Sequence, residues 1–354
     1  MDKPEQMIED LRRLVSVTKV ITSSLSVDEQ LPLIMDAVIA LTNADKAMLL
    51  LFENGRYEVR AERPAPADTK SSRPAYSTGV INQVVESGEP LFILDTDLHA
   101  QMARQVSVQA MQLRTVMCTP LRSRTGIFGV LYVHASTPLL AFNERKKEIF
   151  NSLSDYASIA LDNARLFTAS ISDPMTALYN HSYGQRRLDE ELMRAKRHGR
   201  HLSFALIDVD KFKAVNDSYG HRKGDALICG IASALRGSVR QTDIVARYGG
   251  DEFAIIMPET GGSTGAPGSE ISGSRILAER LRDKLNVELV AGVPKISASI
   301  GIACYPVDFP NEKEREDLTP GDLVDRADKA LYAAKRLGGN RVCDAHEQAA
   351  APSN

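Results

Sequence analysis

The sequence predicts an α+β, two-domain protein in which a long helix joins two domains of mixed helices and strands. Two series of alternating helical and strand patterns predict the domains, at residues 26–141 and 173–344. Between them, residues 142–171 contain neither glycine nor proline, which predicts a helical linker over 142–172. Asn143 can cap the start of this helix, and Asp173-Pro174 can end it.

Composition excludes several classes of protein. The formal net charge of −3 provides no global positive field, so no nucleic-acid partner is expected. No apolar run approaches the 18 residues or so of a membrane span, and the charged N-terminus is unlike a signal peptide, so a cytoplasmic location is expected. The cysteines are too far apart for a metal pair and are expected to be reduced; they are Cys118, Cys229, Cys304 and Cys343.

The predicted first domain is preceded by a helix over residues 1–25. Its apolar residues recur at spacings of 4 and 3, which favours equally a short coiled coil and an amphipathic helix docked on its own domain. Within the domain, the Asn54-Gly55 pair predicts a β-hairpin, and "VMCTPLRSRTGIFGVLYVHA" predicts two further strands. Together these patterns predict an antiparallel sheet.

Carboxylates are concentrated at two strand ends of the second domain. The apolar run before Asp208 stops there, and Asp210 would lie on the same face if the strand continued. Gly249-Gly250 predict a tight turn that uses positive φ angles, with Asp251 and Glu252 just after it. Converging carboxylates suit Mg²⁺ or Mn²⁺ and phosphoryl or nucleotidyl transfer. The alternative is an ordinary hairpin turn with Asp208 as a strand-end cap.

Five motifs in order give the second domain its resemblance to a known family. They are "DPMTALYN", "DVDKFKAVNDSYGHRKGD", "RYGGDEF", "SASIGIA" and "ADKALYAAK". With them the domain resembles the GGDEF diguanylate cyclases. The resemblance implies a fold like that of nucleotidyl cyclases and polymerase palms. It also implies conversion of two GTP to cyclic di-GMP and two pyrophosphates, by a homodimer in which each domain holds one GTP.

The resemblance also implies roles for individual acidic residues. Asp208 and Glu252, with the backbone carbonyl of Val209, would hold two Mg²⁺ or Mn²⁺ ions in each active site. Asp251 would assist deprotonation of the attacking 3′-hydroxyl group, although which carboxylate accepts the proton stays open.

Substrate contacts follow from the same motifs. Asn216 and Asp225 match the pair that reads guanine, and His221 lies beside the substrate. Lys213 and Lys335 match phosphate contacts. Asn216 and Asp225 could instead cap helices, and the lysines and His221 could be ordinary surface residues.

An inhibitory site for the product is implied by "RQTD" and "LAER". Arg240, Asp243 and Arg280 match its residues, and the alternative is an ion pair between Arg240 and Asp243 at a helix end. Two departures from the family pattern are Ala177 and His181 in the first motif. A third is Gly339, which stands where the family has a phosphate-binding arginine. Arg341 is one candidate to compensate for it.

The first domain resembles GAF domains through "LLLFENGRYEVRA", "STGVINQVVESGEPLFILD" and "TVMCTPLRSRTGIFGVLYV". GAF domains bind small molecules or serve as dimer scaffolds, and the sequence names no ligand. Cys118, His99 and His134 are candidate cofactor ligands, with packing or surface roles the favoured alternative. Residues 345–354 are expected to be a disordered tail.

The two resemblances together predict a signalling enzyme whose GAF domain regulates a diguanylate cyclase. Three other functions remain open at this point: a receptor for cyclic di-GMP with a dead active site, a cyclase with adenine-containing products, and an interaction scaffold. The intact "GGDEF" disfavours the first, and Asp225 disfavours the second because adenine lacks the donor pair that a carboxylate would accept.

Overall fold

A computed structural model describes most of the chain. The described residues are 27–53, 55–63, 76–96, 113–138, 142–261, 272–286, 293 and 295–346. The predicted N-terminal helix over 1–25 lies outside them, as does the predicted tail after its first two residues. The chain divides into two compact units, Met1–Phe167 and Thr168–Asn354.

The helices in chain order are α1 (Val27–Thr42), α2 (Thr78–Ser87), α3 (Glu144–Ile171), α4 (His181–His198), α5 (Phe212–Tyr219), α6 (His221–Arg236), α7 (Gly273–Leu285), α8 (Glu312–Asp317) and α9 (Pro320–Arg336). The strands are β1 (Lys46–Glu53), β2 (Arg56–Arg63), β3 (Leu91–Ile93), β4 (Thr115–Ser123), β5 (Gly126–Ala135), β6 (Leu202–Val209), β7 (Ile244–Arg247), β8 (Glu252–Pro258), β9 (Ala298–Tyr305) and β10 (Val342–Asp344).

The first unit contains an antiparallel sheet in the order β2-β1-β5-β4-β3. The predicted hairpin is confirmed, since β1 pairs with β2 around Gly55 at φ 78°. One face of the sheet packs against α1 and α3, and the other packs against α2. Alternation along β5 produces the two faces: Leu131 and Val133 lie on the α3 side, and Tyr132 lies on the α2 side.

The long helix α3, Glu144–Ile171, has 28 residues and lies within the range 142–172 predicted for the helical linker. Asn143 precedes it, and its side-chain Oδ1 accepts from the Lys146 backbone N–H at 3.1 Å, as a helix cap should. The first part of the helix packs on the sheet through Phe150, Leu153 and Leu161. Over that part, the predicted linker is therefore part of the core of the first unit.

The second unit has a mixed sheet in the order β10-β9-β6-β8-β7. Its pairs are antiparallel except that β10 runs parallel to β9 at the edge. Helices α6 and α7 cover one face, and α4 and α9 cover the other. Strand β6 is buried along its whole length, which fits the apolar run from Phe204 to Ile207 inside it.

Two helices stand where the sequence predicts one. The sequence "GDALICGIASALRGSV" predicts a helix over 224–239, but the helix α6 begins earlier, at His221, ends at Arg236 and is preceded by the separate helix α5. Gly220 lies between them at φ 80°, a left-handed conformation that ends α5 and turns the chain into α6.

Candidate active site

The centre of the site is a cross-strand pair of carboxylates at one end of the second sheet. Asp208 of β6 lies opposite Glu252 of β8 in the antiparallel register. Both point to the face covered by α9, because each continues the alternation of apolar residues that pack there. The neighbouring Val209 is buried, and its backbone N–H donates to the Asp251 carbonyl at 3.3 Å.

Helix α9 contributes a cation to this pair. The ammonium Nζ of Lys335 lies 2.7 Å from Oδ2 of Asp208. Burial raises the pKa of Asp208, and the Lys335 ammonium opposes that rise. Burial and then the charge of Asp208 raise the pKa of Glu252, to which Asp251 and Asp328 of α9 also contribute. The carboxylates therefore repel one another, and Lys335 lies close enough to Asp208 to neutralise part of their charge.

The turn before Glu252 differs from its prediction. Neither Gly249 nor Gly250 has a positive φ, so the prediction that this turn needs left-handed glycines is wrong. The reason for glycine at 249 is space: a Cβ there would lie 2.8 Å from Oε2 of Glu252. Gly249 therefore leaves room for the Glu252 carboxylate to lie over the turn.

Asp210 has partners of its own. Its carboxylate accepts from the hydroxyl groups of Ser297 at 2.6 Å and Ser299 at 2.7 Å, and from the backbone N–H of Asn340 at 2.9 Å. These bonds tie three segments together beside Asp208. Asp210 thus holds the edge of the site in place.

The predicted guanine-reading residues lie on α5 and α6. Asn216 is inside α5, whose C-cap is Gly220, so the alternative that Asn216 caps the helix is wrong. Asp225 is inside α6, whose N-cap is also Gly220, so the N-cap alternative is wrong too. The side-chain Oδ1 of Asn216 is buried without a hydrogen-bond partner, beside Gly224. His221 is exposed at the start of α6.

An open cleft of about 900 Å³ extends from Asp208. Lys335 lines it, whereas Lys213, the other predicted phosphate contact, is exposed on α5 and is not among the described lining residues. Sequence reasoning missed two lysines that do line it, Lys211 and Lys295. Lys211 lies inside the motif "DVDKFKAVNDSYGHRKGD" but has no predicted role there, and only the folded chain brings Lys295 to the cleft.

The donors suit a hard divalent cation. Asp208 and Glu252 offer carboxylate oxygens at adjacent strand ends, and Val209 offers a backbone carbonyl between them in sequence. Within the described ranges, no group of three or more His, Cys, Asp or Glu side chains is arranged for a metal ion. A small set of oxygen donors leaves coordination positions for water and phosphate, as Mg²⁺ requires.

Two residues of the predicted inhibitory site, Arg240 and Asp243, line a second cavity of about 420 Å³. The Asp243 carboxylate accepts from the backbone N–H of Arg240 at 2.9 Å. The predicted alternative, an ion pair between their side chains, does not occur in the described structure. Arg280 donates from Nη2 to the Ser238 carbonyl at 2.6 Å, two residues before Arg240.

The candidate ligands of the first domain lie in its sheet or outside the described residues. None of the four cysteines, all of which are among the described residues, forms a disulfide bond. Cys118 is fully buried, where burial raises the pKa of its thiol. His99 lies outside the described residues. His134 has a buried Nδ1 without a hydrogen-bond partner. Among the described helices, none has the length and apolar character needed to cross a membrane.

Comparison with known proteins agrees with this architecture. A family model described as diguanylate cyclase, GGDEF domain, matches residues 170–341, and a GAF domain model matches residues 26–161. Diguanylate cyclase A of Treponema denticola is 31% identical over 230 residues, which cover 63% of this chain and 57% of that protein. Diguanylate cyclase TpbB of Pseudomonas aeruginosa is 34% identical over 207 residues, which cover 56% of this chain and 45% of that protein.

Two further proteins are similar to this chain over different shares of their own length. The uncharacterized protein YtrP of Bacillus subtilis is 31% identical over 232 residues, which cover 64% of this chain and 36% of that protein. The solved coiled coil and GGDEF domain of DgcB from Caulobacter crescentus, in complex with c-di-GMP, is 25% identical with a TM-score of 0.48, covering 57% of this chain and 100% of that one. The chain thus spans less than two thirds of the length of these curated relatives. Residues 170–341 belong to the GGDEF family of diguanylate cyclase domains, and residues 26–161 belong to the GAF family.

Proposed function

We propose that this protein is a diguanylate cyclase that converts two GTP to cyclic di-GMP and two pyrophosphates under control of its GAF domain. The observation that carries the proposal is the pairing of Asp208 with Glu252, beside Lys335, within a GGDEF domain. In each half-reaction the ribose 3′-oxygen of one GTP attacks the α-phosphorus of the other. The bond to the β-phosphate then breaks, and pyrophosphate leaves.

The residues of the chain have distinct parts in this reaction. Asp208, Glu252 and the Val209 carbonyl would hold two Mg²⁺ or Mn²⁺ ions, which would neutralise phosphate charge and stabilise the charge that develops in the reaction. Asp251 assists removal of the proton from the 3′-hydroxyl group. Lys335 is paired with Asp208 in the structure, and its flexible stem would let the ammonium group bind the substrate phosphates instead.

Recognition of guanine is assigned to α5 and α6. The buried, unpartnered Oδ1 of Asn216 is an acceptor in need of a donor, and a base edge with N–H groups supplies one. The exposed Asp225 carboxylate accepts from the N1–H and 2-amino groups of guanine, with His221 nearby on the same helix. Adenine lacks that donor pair, so GTP is preferred over ATP.

The two-fold symmetry of the product requires two GGDEF domains, and therefore a homodimer. Helix α3 offers a surface for pairing, since Tyr156, Ile159 and Leu166 are exposed on it at spacings of 3 and 7 residues. These apolar residues follow a heptad seam on the side away from Phe150 and Leu153, which are buried. A ligand of the GAF domain, of unknown identity, would act through this helix.

Product inhibition is assigned to the cavity at Arg240 and Asp243. The guanidinium group of Arg240 is exposed and has no partner in the described structure, so its donors are free to bind phosphate or stack on guanine. Arg280 is anchored close by through Ser238. These groups suit cyclic di-GMP, which offers both guanine faces and phosphates.

The test is to incubate the full chain with GTP and Mg²⁺, with ATP in a parallel sample, and to identify the products by mass spectrometry. We expect cyclic di-GMP from GTP alone, and none from the Glu252→Gln variant, which loses the charge that holds the cations. Glu312→Gln is the matched control, because Glu312 is an exposed glutamate on α8. Normal turnover by Glu252→Gln would refute the site. Tight binding of cyclic di-GMP without turnover would favour the receptor function.

A further inference from the structure

The cleft beside Asp208 is lined by a lysine, Lys295, that has no part in the proposed reaction as described above. Lys295 lies three residues before β9 and is exposed at the cleft. Its segment runs beside the end of β6, because the backbone N–H of Asp210 donates to the Ser297 carbonyl at 2.9 Å. Within the described structure, the Lys295 ammonium has no carboxylate within ion-pair distance and no hydrogen-bond partner. The same holds for Lys211.

Apart from Lys211, the other charged groups of the described cleft are already paired. Lys335 is bound to Asp208, and the Asp210 carboxylate accepts three hydrogen bonds from Ser297, Ser299 and Asn340. Lys295 is therefore an unpaired positive charge that lines the same cleft as Asp208. An open polar cleft with an unpaired ammonium group favours an anionic ligand.

One wall of the cleft consists of residues without side chains. It is formed by Gly338 and Gly339, at φ 108° and 75°. A Cβ on Gly339 would lie 3.0 Å from Oδ1 of Asp210. The nearby Arg341 turns back, donating from Nε to the Gly339 carbonyl at 3.3 Å, and is not among the described lining residues. No arginine thus lines the described part of the cleft, and its positive charges are lysines.

We infer that Lys295 binds the terminal phosphates of the substrate triphosphate, an inference that rests on the proposed function. A nucleotide whose α-phosphate lies at Asp208 and Glu252 directs its β- and γ-phosphates into this cleft. The flexible lysine stem lets the ammonium group follow phosphate oxygens as the pyrophosphate forms and leaves. Lys295 therefore discriminates a triphosphate from a monophosphate and has no contact with the base.

The test measures binding without turnover, by calorimetry on the full chain with Mg²⁺. The probes are GTP with a methylene group between its α- and β-phosphates, which cannot react, and GMP. We expect Lys295→Ala to weaken binding of the triphosphate analogue roughly tenfold, as loss of one charge-assisted contact does, and to leave GMP binding unchanged. Lys295→Arg should retain most of the affinity. Lys313→Ala, which removes an exposed lysine of α8, should bind both probes as the wild type does.

The outcomes separate the two proposals. Equal analogue affinity in Lys295→Ala and the wild type would overturn this inference, as would an equal loss for the analogue and GMP. Both leave the proposed function standing if the wild type makes cyclic di-GMP. A wild type that neither binds the analogue nor makes cyclic di-GMP would overturn the proposed function, and this inference with it.

Discussion

Gly224 should be coupled to Asn216 in both stability and substrate binding. Gly224 lies in α6 and faces the Asn216 amide on α5. A Cβ added at Gly224 would lie 1.9 Å from Oδ1 of Asn216, whereas real Cβ atoms essentially never approach another atom closer than 3.0 Å. In Gly224→Ala, the Asn216 side chain therefore has to leave its position.

Two opposing effects determine how much Gly224→Ala changes the free energy of unfolding. Alanine is more stable than glycine in a helix interior by about 1 kcal/mol, which favours the variant. Displacing a packed side chain costs about 1–3 kcal/mol, which opposes it. We expect Gly224→Ala to destabilise the wild type by about 1 kcal/mol and to stabilise the Asn216→Ala variant by about 1 kcal/mol, a coupling of about 2 kcal/mol.

The assay is urea unfolding of the full chain with the four members of this double-mutant cycle. The unfolding transition to follow is the one that the unreactive GTP analogue shifts, because the chain has two compact units. In parallel, Gly224→Ala should raise KM for GTP more than it changes kcat, because the displaced amide is proposed to contact the base. An equal stability change in both backgrounds would refute the contact between Gly224 and Asn216.

Three further predictions concern regulation, assembly and pH. Arg240→Ala should raise the cyclic di-GMP concentration for half-inhibition at least tenfold, as expected for a lost charged contact. Initial pyrophosphate release would show this, and unchanged inhibition would contradict it. The double variant Ile159→Asp/Leu166→Asp should sediment as a monomer where the wild type sediments as a dimer, and it should be less active. An active monomer would contradict pairing through these residues. Burial lowers the pKa of His134 from 6.5 to about 4. The neutral His134 of the folded state therefore contributes up to about 3 kcal/mol to the free energy of unfolding above pH 6.5. This contribution is lost as the pH falls towards 4. The free energy of unfolding should differ less between pH 7 and pH 5 in His134→Gln than in the wild type. Equal differences in the two proteins would contradict this prediction.

Elements with strong local signals could be predicted from the sequence. The run "LSFALIDV" predicts a strand and "GSRILAERLRDKL" predicts a helix. Strand β6 (Leu202–Val209) and helix α7 (Gly273–Leu285) consist of the same residues. The first is a buried apolar run, and the second starts with a capping serine, Ser272, whose side chain accepts from the Arg275 backbone N–H. Helix α3 also matches because its limits depend on local residues, Asn143 and Asp173-Pro174.

Other features depend on partners far along the chain. The short edge strand β10 has only three residues and exists through its parallel pairing with β9. Lys295 reaches the cleft because Ser297 pairs with Asp210, 87 positions earlier. The turn at Gly249 uses glycine for the space that Glu252 needs, a reason that local turn preferences do not contain. Such contacts are tertiary, and no local pattern encodes them.

The two aspartates after the apolar run of β6 illustrate this difference. Asp208 and Asp210 would share a face if the strand continued, but β6 ends at Val209 and Lys211 has a left-handed φ of 58°. The change of direction separates their environments. Asp210 accepts three hydrogen bonds from hydroxyl and backbone donors, so most of its lone pairs are committed to the fold. Asp208 keeps one exchangeable partner, the Lys335 ammonium, which a divalent cation can replace. Of two carboxylates that the pattern makes equivalent, only Asp208 is therefore available for chemistry, and Asp210 fixes the wall against which that chemistry takes place.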